Sequence, residues 1–192
     1  MNWIHHWLCR SDWWRRSLLE EIMPWGLDGV QLGESVLEIG PGPGLTTDYL
    51  RGRVGRLTSL EIDRELAAAL RERLSGGNVE VVDGDATEMP FADGSFSGAV
   101  SFTMLHHVPR VELQDRLLRE TYRVLRPGAV FAGVDSRDGW IMKVIHIGDV
   151  MNLVDPGTFG ERLERAGFRD VAVEANERRF RFRGRRPREL RQ

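Results

Sequence analysis

The sequence predicts an α/β protein with a doubly wound, mostly parallel sheet. Short apolar runs alternate with amphipathic segments along the 192 residues, and a glycine-rich turn follows the first apolar run. Strands that alternate with helices build a parallel sheet covered by helices on both faces. The ligand of such a sheet binds beyond the carboxyl ends of its strands, so the glycine-rich turn marks the first candidate site.

Five strands are predicted from apolar runs that end at glycine, proline or polar residues. They cover residues 35–39, 57–62, 79–82, 96–102 and 129–135. A sixth strand is predicted over residues 168–173. Phe180 and Phe182 then alternate with arginines, which is typical of a strand with one buried face, and we expect this C-terminal strand to be antiparallel.

Helices are predicted where apolar residues recur at helical spacing between the strands. Leu66, Leu70 and Leu74 mark one helix, and Asp63 is its candidate N-cap. Gly167 suits a left-handed helix end. Further helices are predicted over residues 113–125, 140–151 and 159–166.

Composition and charge narrow the class of protein. The chain is 41% hydrophobic and has no run near the roughly 18 apolar residues of a membrane span and no signal-peptide pattern, so we expect a cytoplasmic protein without a membrane span. The single cysteine, Cys9, excludes an internal disulfide and a cysteine-rich zinc site. The formal net charge of −2 combines +6 over residues 177–192 with −8 elsewhere, which argues against a general nucleic-acid binder.

The chain is expected to form a single domain with three parts. These are an aromatic-rich N-terminal helical cap over residues 1–31, a core over 32–184 and a basic tail over 185–192. Trp3, Trp7 and Trp14 recur at helical spacing in the cap. The cap is interpreted either as a lid over a substrate pocket or as a helix packed on the sheet or in a homodimer interface.

The glycine loop differs from two common phosphate-binding patterns. Gly40, Gly42 and Gly44 have the spacing G-x-G-x-G, preceded by Glu38. This is neither the G-x-G-x-x-G of dinucleotide folds nor a P-loop, which carries Lys and Ser or Thr. A carboxylate at the mouth of the loop would repel a pyrophosphate and suits a ligand with an ammonium and a sulfonium group.

These motifs together resemble a known family. VLEIGPGPG (residues 36–44), LEID (60–63), GDATEMPFADGSF (84–96), SFTMLHHV (101–108) and VLRPGAV (124–130) are similar to the ordered motifs of class I S-adenosylmethionine-dependent methyltransferases, in particular the ubiquinone/menaquinone C-methyltransferase-like (type 11) group. The resemblance covers roughly residues 32–173 and implies a Rossmann-like fold. Two departures stand at Ser97, where the family usually has Asp, and at Gly98.

The resemblance implies where S-adenosylmethionine would bind, with S-adenosylhomocysteine as the product. The loop glycines would lie against its methionine portion, with Glu38 ordering the loop. Glu61 would take both ribose hydroxyls, Ile62 would pack on the adenine, Asp85 would accept from the adenine amino group and the Ala86 backbone would contact a ring nitrogen. The implied cofactor residues are Glu38, Gly40, Gly42, Gly44, Glu61, Ile62, Asp85, Ala86 and Phe102.

Candidate catalytic residues are few. Methyl transfer from a sulfonium needs alignment above all, and it needs a base only when the acceptor must lose a proton. His106 and His107 follow the fourth strand and are candidate bases, although either could be a core histidine with a satisfied hydrogen bond. Trp14 and His146 are candidate residues of the substrate pocket. We expect no metal, because Ser101, Phe102 and Thr103 stand where magnesium-dependent relatives place acids.

The sequence therefore predicts a methyltransferase that acts on a small, apolar or aromatic acceptor by in-line displacement. One alternative is an RNA or protein methyltransferase that uses the C-terminal arginines. Another is a cofactor-binding module without activity, because a fold and a cofactor site do not specify a function.

Overall fold

The computed structural model describes residues 12–137 and 151–188, which one seven-stranded sheet organises. The strands are β1 (Ser35–Ile39), β2 (Arg56–Glu61), β3 (Val79–Asp83), β4 (Phe96–Phe102), β5 (Leu125–Ser136), β6 (Arg169–Ala175) and β7 (Arg179–Arg185). The helices are α1 (Asp12–Ser17), α2 (Met23–Gly26), α3 (Leu45–Leu50), α4 (Arg64–Arg73), α5 (Val111–Val124) and α6 (Pro156–Arg165). A π-helical turn (Leu18–Ile22) joins α1 to α2, and a 3₁₀ turn (Leu105–His107) follows β4.

The strand order places a switch in topology at β1. The order is β3-β2-β1-β4-β5-β7-β6, and the pairs among β1 to β5 are parallel while β7 is antiparallel to both neighbours. The chain runs from β1 outward to β3 and then returns to β4 on the other side of β1, so a crevice is expected between the carboxyl ends of β1 and β4. The predicted fold class, with its antiparallel C-terminal strand, is confirmed.

Most of the predicted elements are present with small shifts. β1 and β4 have the predicted bounds. β5 begins earlier than predicted, at Leu125, because Leu125 pairs with Phe96 before an irregularity leads to the regular pairing of Gly98 with Val130. The helix predicted over residues 140–151 lies, except for residue 151, outside the described residues.

Helices bury apolar side chains against both faces of the sheet. On one face, the buried residues of α5 and α6 pack with those of β5 and β7. On the other face, the N-terminal helical segment and α3 cover β1, β4 and β5. Burial of one leucine or phenylalanine side chain stabilises the fold by on the order of 1.5–3 kcal/mol. The two helical layers therefore stabilise the sheet whose carboxyl edge carries the site.

The described part of the N-terminal cap packs on the sheet. Leu18, Ile22 and Met23 are at most 3% exposed. Trp14 is half-buried against the same apolar cluster, whereas Trp13 is 64% exposed. For residues 12–26 the structure therefore shows the packed-helix alternative, and Trp3 and Trp7 lie outside the described residues.

Ser97 and Gly98, the two departures from the family pattern, fit the chain that leads into β1. The Ser97 Oγ accepts a hydrogen bond from the Ser35 N–H at 2.9 Å and lies 3.0 Å from the Leu32 carbonyl oxygen. A Cβ at position 98 would come within 2.5 Å of that same carbonyl oxygen. The strand therefore has a glycine where the preceding segment crosses it closely, and the serine hydroxyl bonds to that segment.

The folded domain continues past residue 184, where the sequence pattern predicts that the core ends and a basic tail begins. β7 includes Arg185, and the Arg186 Nη1 lies 2.7–3.0 Å from the carbonyl oxygens of Tyr122, Arg123 and Leu125. The last carbonyls of a helix have no partner within the helix, so a guanidinium at this point satisfies them. These arginines thus belong to the folded domain.

Candidate functional site

The loop between β1 and α3 owes its shape to three glycines. The φ angles are +68° at Gly40, +53° at Gly42 and +88° at Gly44, values that L side chains rarely adopt. The Gly40 N–H donates to the Leu60 carbonyl oxygen at 2.9 Å, which ties the start of the loop to β2. A Cβ at Gly42 would meet no atom within 4 Å, so the loop is open on that side.

Glu38 lies beneath the loop and not at its mouth. It is 2% exposed, and its carboxylate accepts hydrogen bonds from the Thr46, Thr47 and Ser59 hydroxyls, the latter two at 2.7 Å. Burial raises the pKa of the Glu38 carboxyl, and the three hydroxyl donors oppose that rise. The sequence pattern placed this carboxylate at the mouth of the loop, whereas in the structure it faces hydroxyls of α3 and β2. Glu38 instead holds the start of α3 against β1 and β2, which supports the loop from below.

Glu61 ends β2 beside the loop. Its Oε2 accepts from the Gly42 N–H at 2.9 Å and its Oε1 accepts from the Asp63 N–H at 3.0 Å, with 6% of the residue exposed. An ionised carboxylate has about four acceptor positions, so each oxygen retains capacity for a hydroxyl group of a ligand. The Asp63 side chain caps α4 by accepting from the Glu65 and Leu66 N–H groups, as predicted.

Ile62 is an exposed apolar side chain next to this buried acid. It is 67% exposed, and the Gly84 N–H donates to the Glu61 carbonyl oxygen at 2.9 Å, so the segment after β3 runs alongside. In that segment Asp85 is exposed and its Oδ1 accepts from the Thr87 N–H at 2.7 Å, while Ala86 is half-buried. The structure therefore brings Glu61, Ile62 and the Asp85 turn together at one edge of the sheet.

Arg73, at the end of α4, contacts the far end of the glycine loop. Its Nη1 donates to the Asp48 Oδ2 at 2.7 Å, and its Nη2 lies 3.4 Å from the carbonyl oxygens of Pro43 and Gly44. A Cβ at Gly44 would come within 2.5 Å of the same Nη2. The helix that follows Glu61 thus braces the loop at its other end, a contact that the sequence analysis did not predict.

The residues that follow β4 approach the first glycine of the loop. Thr103 has a φ of +51°, and a Cβ at Gly40 would overlap the Met104 side chain. Phe102, in contrast, is 5% exposed and packs in the core against Gly26. The structure therefore places Met104 beside the loop and directs the Phe102 ring, a predicted cofactor contact, into the core.

His106 and His107 lie in the 3₁₀ turn at the same edge. His106 is 2% exposed, its Nδ1 lies 2.5 Å from Oδ1 of the buried Asp135, and its ring centroid is 4.2 Å from that of the half-buried His107. His106 is thus a core histidine with a satisfied hydrogen bond, which was the alternative to a catalytic role. Of the two candidate bases, His107 is the more accessible.

Two residues at this edge were missed by sequence reasoning. Asp135 is a carboxylate at the end of an apolar strand, and its place at the carboxyl edge of the sheet could have marked it. Met104 has no comparable signal, because its role depends on how closely the turn approaches the loop. Of the predicted pocket residues, Trp14 packs on the sheet and His146 lies outside the described residues.

Within residues 12–137 and 151–188, no group of three or more His, Cys, Asp and Glu side chains could hold a metal ion. No helix in this part of the chain is long and apolar enough to cross a membrane.

Comparison with known proteins identifies the family. Residues 37–133, which include the glycine loop, Glu61 and the turn after β4, match the family described as a methyltransferase domain. The chain belongs to this family. It is a class I S-adenosylmethionine-dependent methyltransferase of the type 11 group, as the sequence motifs indicated. Its cofactor is accordingly S-adenosylmethionine. Glu61, the exposed Ile62 and the glycine loop fit this molecule.

Individual relatives are similar over parts of their length. The chain is 33% identical over 122 residues to the ubiquinone/menaquinone biosynthesis C-methyltransferase of Klebsiella pneumoniae, covering 60% of this chain and 45% of the relative. It is 52% identical over 60 residues to the ribosomal RNA small subunit methyltransferase A of Moorella thermoacetica, covering 31% of this chain and 21% of the relative. The chain thus spans less than half the length of these curated relatives.

A solved structure shares the fold over most of both chains. A methyltransferase from Aquifex aeolicus, described as dependent on S-adenosylmethionine, superposes with a TM-score of 0.70 at 24% identity, covering 88% of this chain and 93% of that one. At this level of identity the match supports the fold and not the acceptor.

Proposed function

We propose that this protein, as a single-domain enzyme, transfers a methyl group from S-adenosylmethionine to a small, apolar or aromatic acceptor. The observation that carries the proposal is the arrangement around Glu61. Two backbone N–H groups orient this carboxylate at the carboxyl edge of the sheet, beside the exposed Ile62 and the open loop at Gly42. An oriented acid next to an exposed apolar surface suits a ribose joined to a flat base.

In the proposed complex, each part of the cofactor would meet a group at this edge. Glu61 would accept from the ribose hydroxyls, and Ile62 would cover one face of the adenine, which removes its exposed side chain from water. The Asp85 turn would bind the adenine edge through the Asp85 carboxylate and the Ala86 backbone. The glycine loop would hold the methionine portion, since its backbone can be approached closely where side chains are absent.

The sulfonium of the cofactor supplies an activated methyl group, and the protein aligns and shields the acceptor. Alignment alone is worth effective molarities on the order of 10⁵ to 10⁸ M in well-oriented reactions. Where the acceptor must lose a proton, His107 is the better candidate base, because Asp135 already binds His106 and burial closes that ring to solvent. Trp14 and His146 remain candidates for the acceptor pocket.

The charge distribution favours a small acceptor over RNA. The body outside residues 177–192 carries a formal net charge of −8, which repels a polyanion. Arg185 and Arg186 donate to backbone carbonyls of the domain itself, so fewer of the C-terminal arginines are available for phosphate contacts. The match to a ribosomal RNA methyltransferase is confined to 60 residues, which is 31% of this chain and 21% of that relative.

Two experiments test this proposal. In calorimetry, S-adenosylhomocysteine should bind and NAD should not; binding of NAD alone would contradict the cofactor assignment. A transfer assay with radiolabelled S-adenosylmethionine should label 1,4-naphthohydroquinone or a long-chain fatty acid, and Glu61→Ala should lower the signal when the cofactor is below saturation. Labelling of a ribosomal RNA transcript alone would establish the RNA alternative. Tight S-adenosylhomocysteine binding without transfer to any of these probes would favour the non-catalytic module.

A further inference from the structure

A buried carboxylate holds the turn after β4 by two separate bonds to one residue. Asp135 is 0% exposed at the end of β5. Its Oδ1 lies 2.5 Å from the His106 Nδ1, and its Oδ2 accepts from the His106 backbone N–H at 3.1 Å. The Ser136 N–H also donates to Oδ1 at 2.6 Å. Because a buried carboxylate is costly unless it accepts hydrogen bonds, this set of donors is what makes Asp135 tolerable in the core.

Gln114, which is buried, and Asn152, which is half-buried, hold other backbone groups in and next to the same turn. The Gln114 Nε2 donates to the Leu105 carbonyl oxygen at 3.1 Å. The Asn152 N–H donates to the His106 carbonyl oxygen at 2.7 Å, and the Asn152 Nδ2 lies 3.3 Å from the Val108 carbonyl oxygen. Helix α5, strand β5 and the residues before α6 therefore all fix one short turn, and Asp135 is the carboxylate that β5 contributes to it.

This turn connects the glycine loop to the candidate base. Met104, just before the turn, lies against Gly40 of the glycine loop, and the ring of His107, the last residue of the turn, packs on the His106 ring. A displacement of His106 would therefore move the ring on which the His107 ring packs. A shift of about 1 Å in a reacting group can cost on the order of a hundredfold in rate.

We propose that Asp135 is a positioning residue for His107. Each Asp135 oxygen accepts a backbone N–H group, so the short contact assigns the His106 Nδ1 as a further donor, which fixes the tautomer of His106 and the plane of its ring. The fixed His106 ring then sets the orientation of His107. The role of His107 in methyl transfer rests on the proposed function, whereas the tautomer and the fixed turn do not.

Imidazole ¹⁵N–¹H correlation spectra test the inference without an acceptor. In the wild-type protein the His106 Nδ1 should be protonated, and a His106 found as the Nε2–H tautomer would overturn the proposal even if every Asp135 variant fails to fold. Asp135→Asn has one acceptor oxygen for two His106 donors. Either the tautomer should therefore change or the His106 amide should lose its protection from hydrogen exchange, and the His107 signals should shift in both cases. Unchanged spectra would contradict the proposal.

Activity and cofactor affinity give the second readout. Asp135→Asn should lower turnover with the acceptor probe labelled in the transfer assay by about tenfold or more, while the Kd for S-adenosylhomocysteine stays within about threefold. The matched control is Asp155→Asn, which alters the exposed N-cap of α6 where the Asp155 Oδ1 accepts from the Gly157 N–H at 2.9 Å. An equal loss of turnover in the control would show a general loss of stability and overturn the inference. If the wild-type protein labels no probe, the proposed function fails while the spectra still decide the role of Asp135.

Discussion

The Glu61 Oε2 accepts a hydrogen bond from the Gly42 N–H at 2.9 Å. This contact joins the acid at the end of β2 to the middle of the glycine loop, two segments that are 19 residues apart in the chain. The carboxylate and the loop are therefore oriented before any ligand binds. Preorganisation of this kind reduces the ordering cost that binding would otherwise impose.

Glu61→Ala should weaken S-adenosylhomocysteine binding. A hydrogen bond to a charged group contributes on the order of 1.5–3 kcal/mol, so we expect a loss of about tenfold to a hundredfold in calorimetry. Asp63→Ala is the matched control. It removes the α4 N-cap, which should lower the free energy of unfolding by about 0.5–2 kcal/mol and leave the affinity nearly unchanged. A larger loss of affinity in the Asp63 variant would contradict the assignment of the ribose acid.

Arg73→Ala should weaken the same affinity by a smaller amount. The Arg73–Asp48 ion pair is partly exposed, and such pairs contribute about 0.2–1 kcal/mol, so we expect a Kd about 1.4- to fivefold higher. Arg71→Ala controls for loss of an arginine from the same helix, because the Arg71 guanidinium binds the Val81 carbonyl oxygen on β3. Equal Kd values for the two variants would show that Arg73 does not brace the loop.

Glu38→Gln should change how stability depends on pH. Burial raises the pKa of Glu38 above its ordinary value of 4.5 in the folded state. The folded protein therefore retains this proton more strongly than the unfolded chain, so the contribution is fully present below about pH 4.5 and is lost as the pH rises through the raised value.

Urea unfolding at a series of pH values measures this dependence. The free energy of unfolding of Glu38→Gln minus that of the wild type should increase as the pH rises above 4.5 and then become constant, since glutamine does not ionise. A difference that is the same at every pH would show that the Glu38 carboxyl has no raised pKa.

Arg186→Met should destabilise the domain although the residue lies close to the C-terminus. The guanidinium donates to three carbonyl oxygens at the end of α5, and hydrogen bonds of a charged group suggest a loss of about 1.5–3 kcal/mol in the free energy of unfolding. Arg188→Met, at an exposed position, should change it by less than about 0.5 kcal/mol. Chemical denaturation measures the free energy of unfolding of both variants. Equal values would show that Arg186 belongs to a solvated tail.

Local sequence patterns were sufficient for the strands and the glycine loop. Apolar runs between turn residues marked β1 and β4 with their observed bounds, because burial of both faces of a parallel sheet leaves a continuous apolar signal. The Asp63 cap was equally predictable, since its acceptor reaches N–H groups only two and three residues away. In these cases the information lies within a few residues of the position concerned.

Tertiary structure decided where the remaining charges lie. The carboxylate of Glu38 points into the core because hydroxyls from α3 and β2 meet it there. Asp135 contacts His106 across 29 residues of sequence, and Arg186 reaches Leu125 across 61. The sequence by itself determined the fold class, the glycine loop and the family. The partners of these buried or docked charges can be assigned only once the strand order and register are known. A hydrogen bond depends on positions within a few tenths of an ångström, which no local pattern encodes.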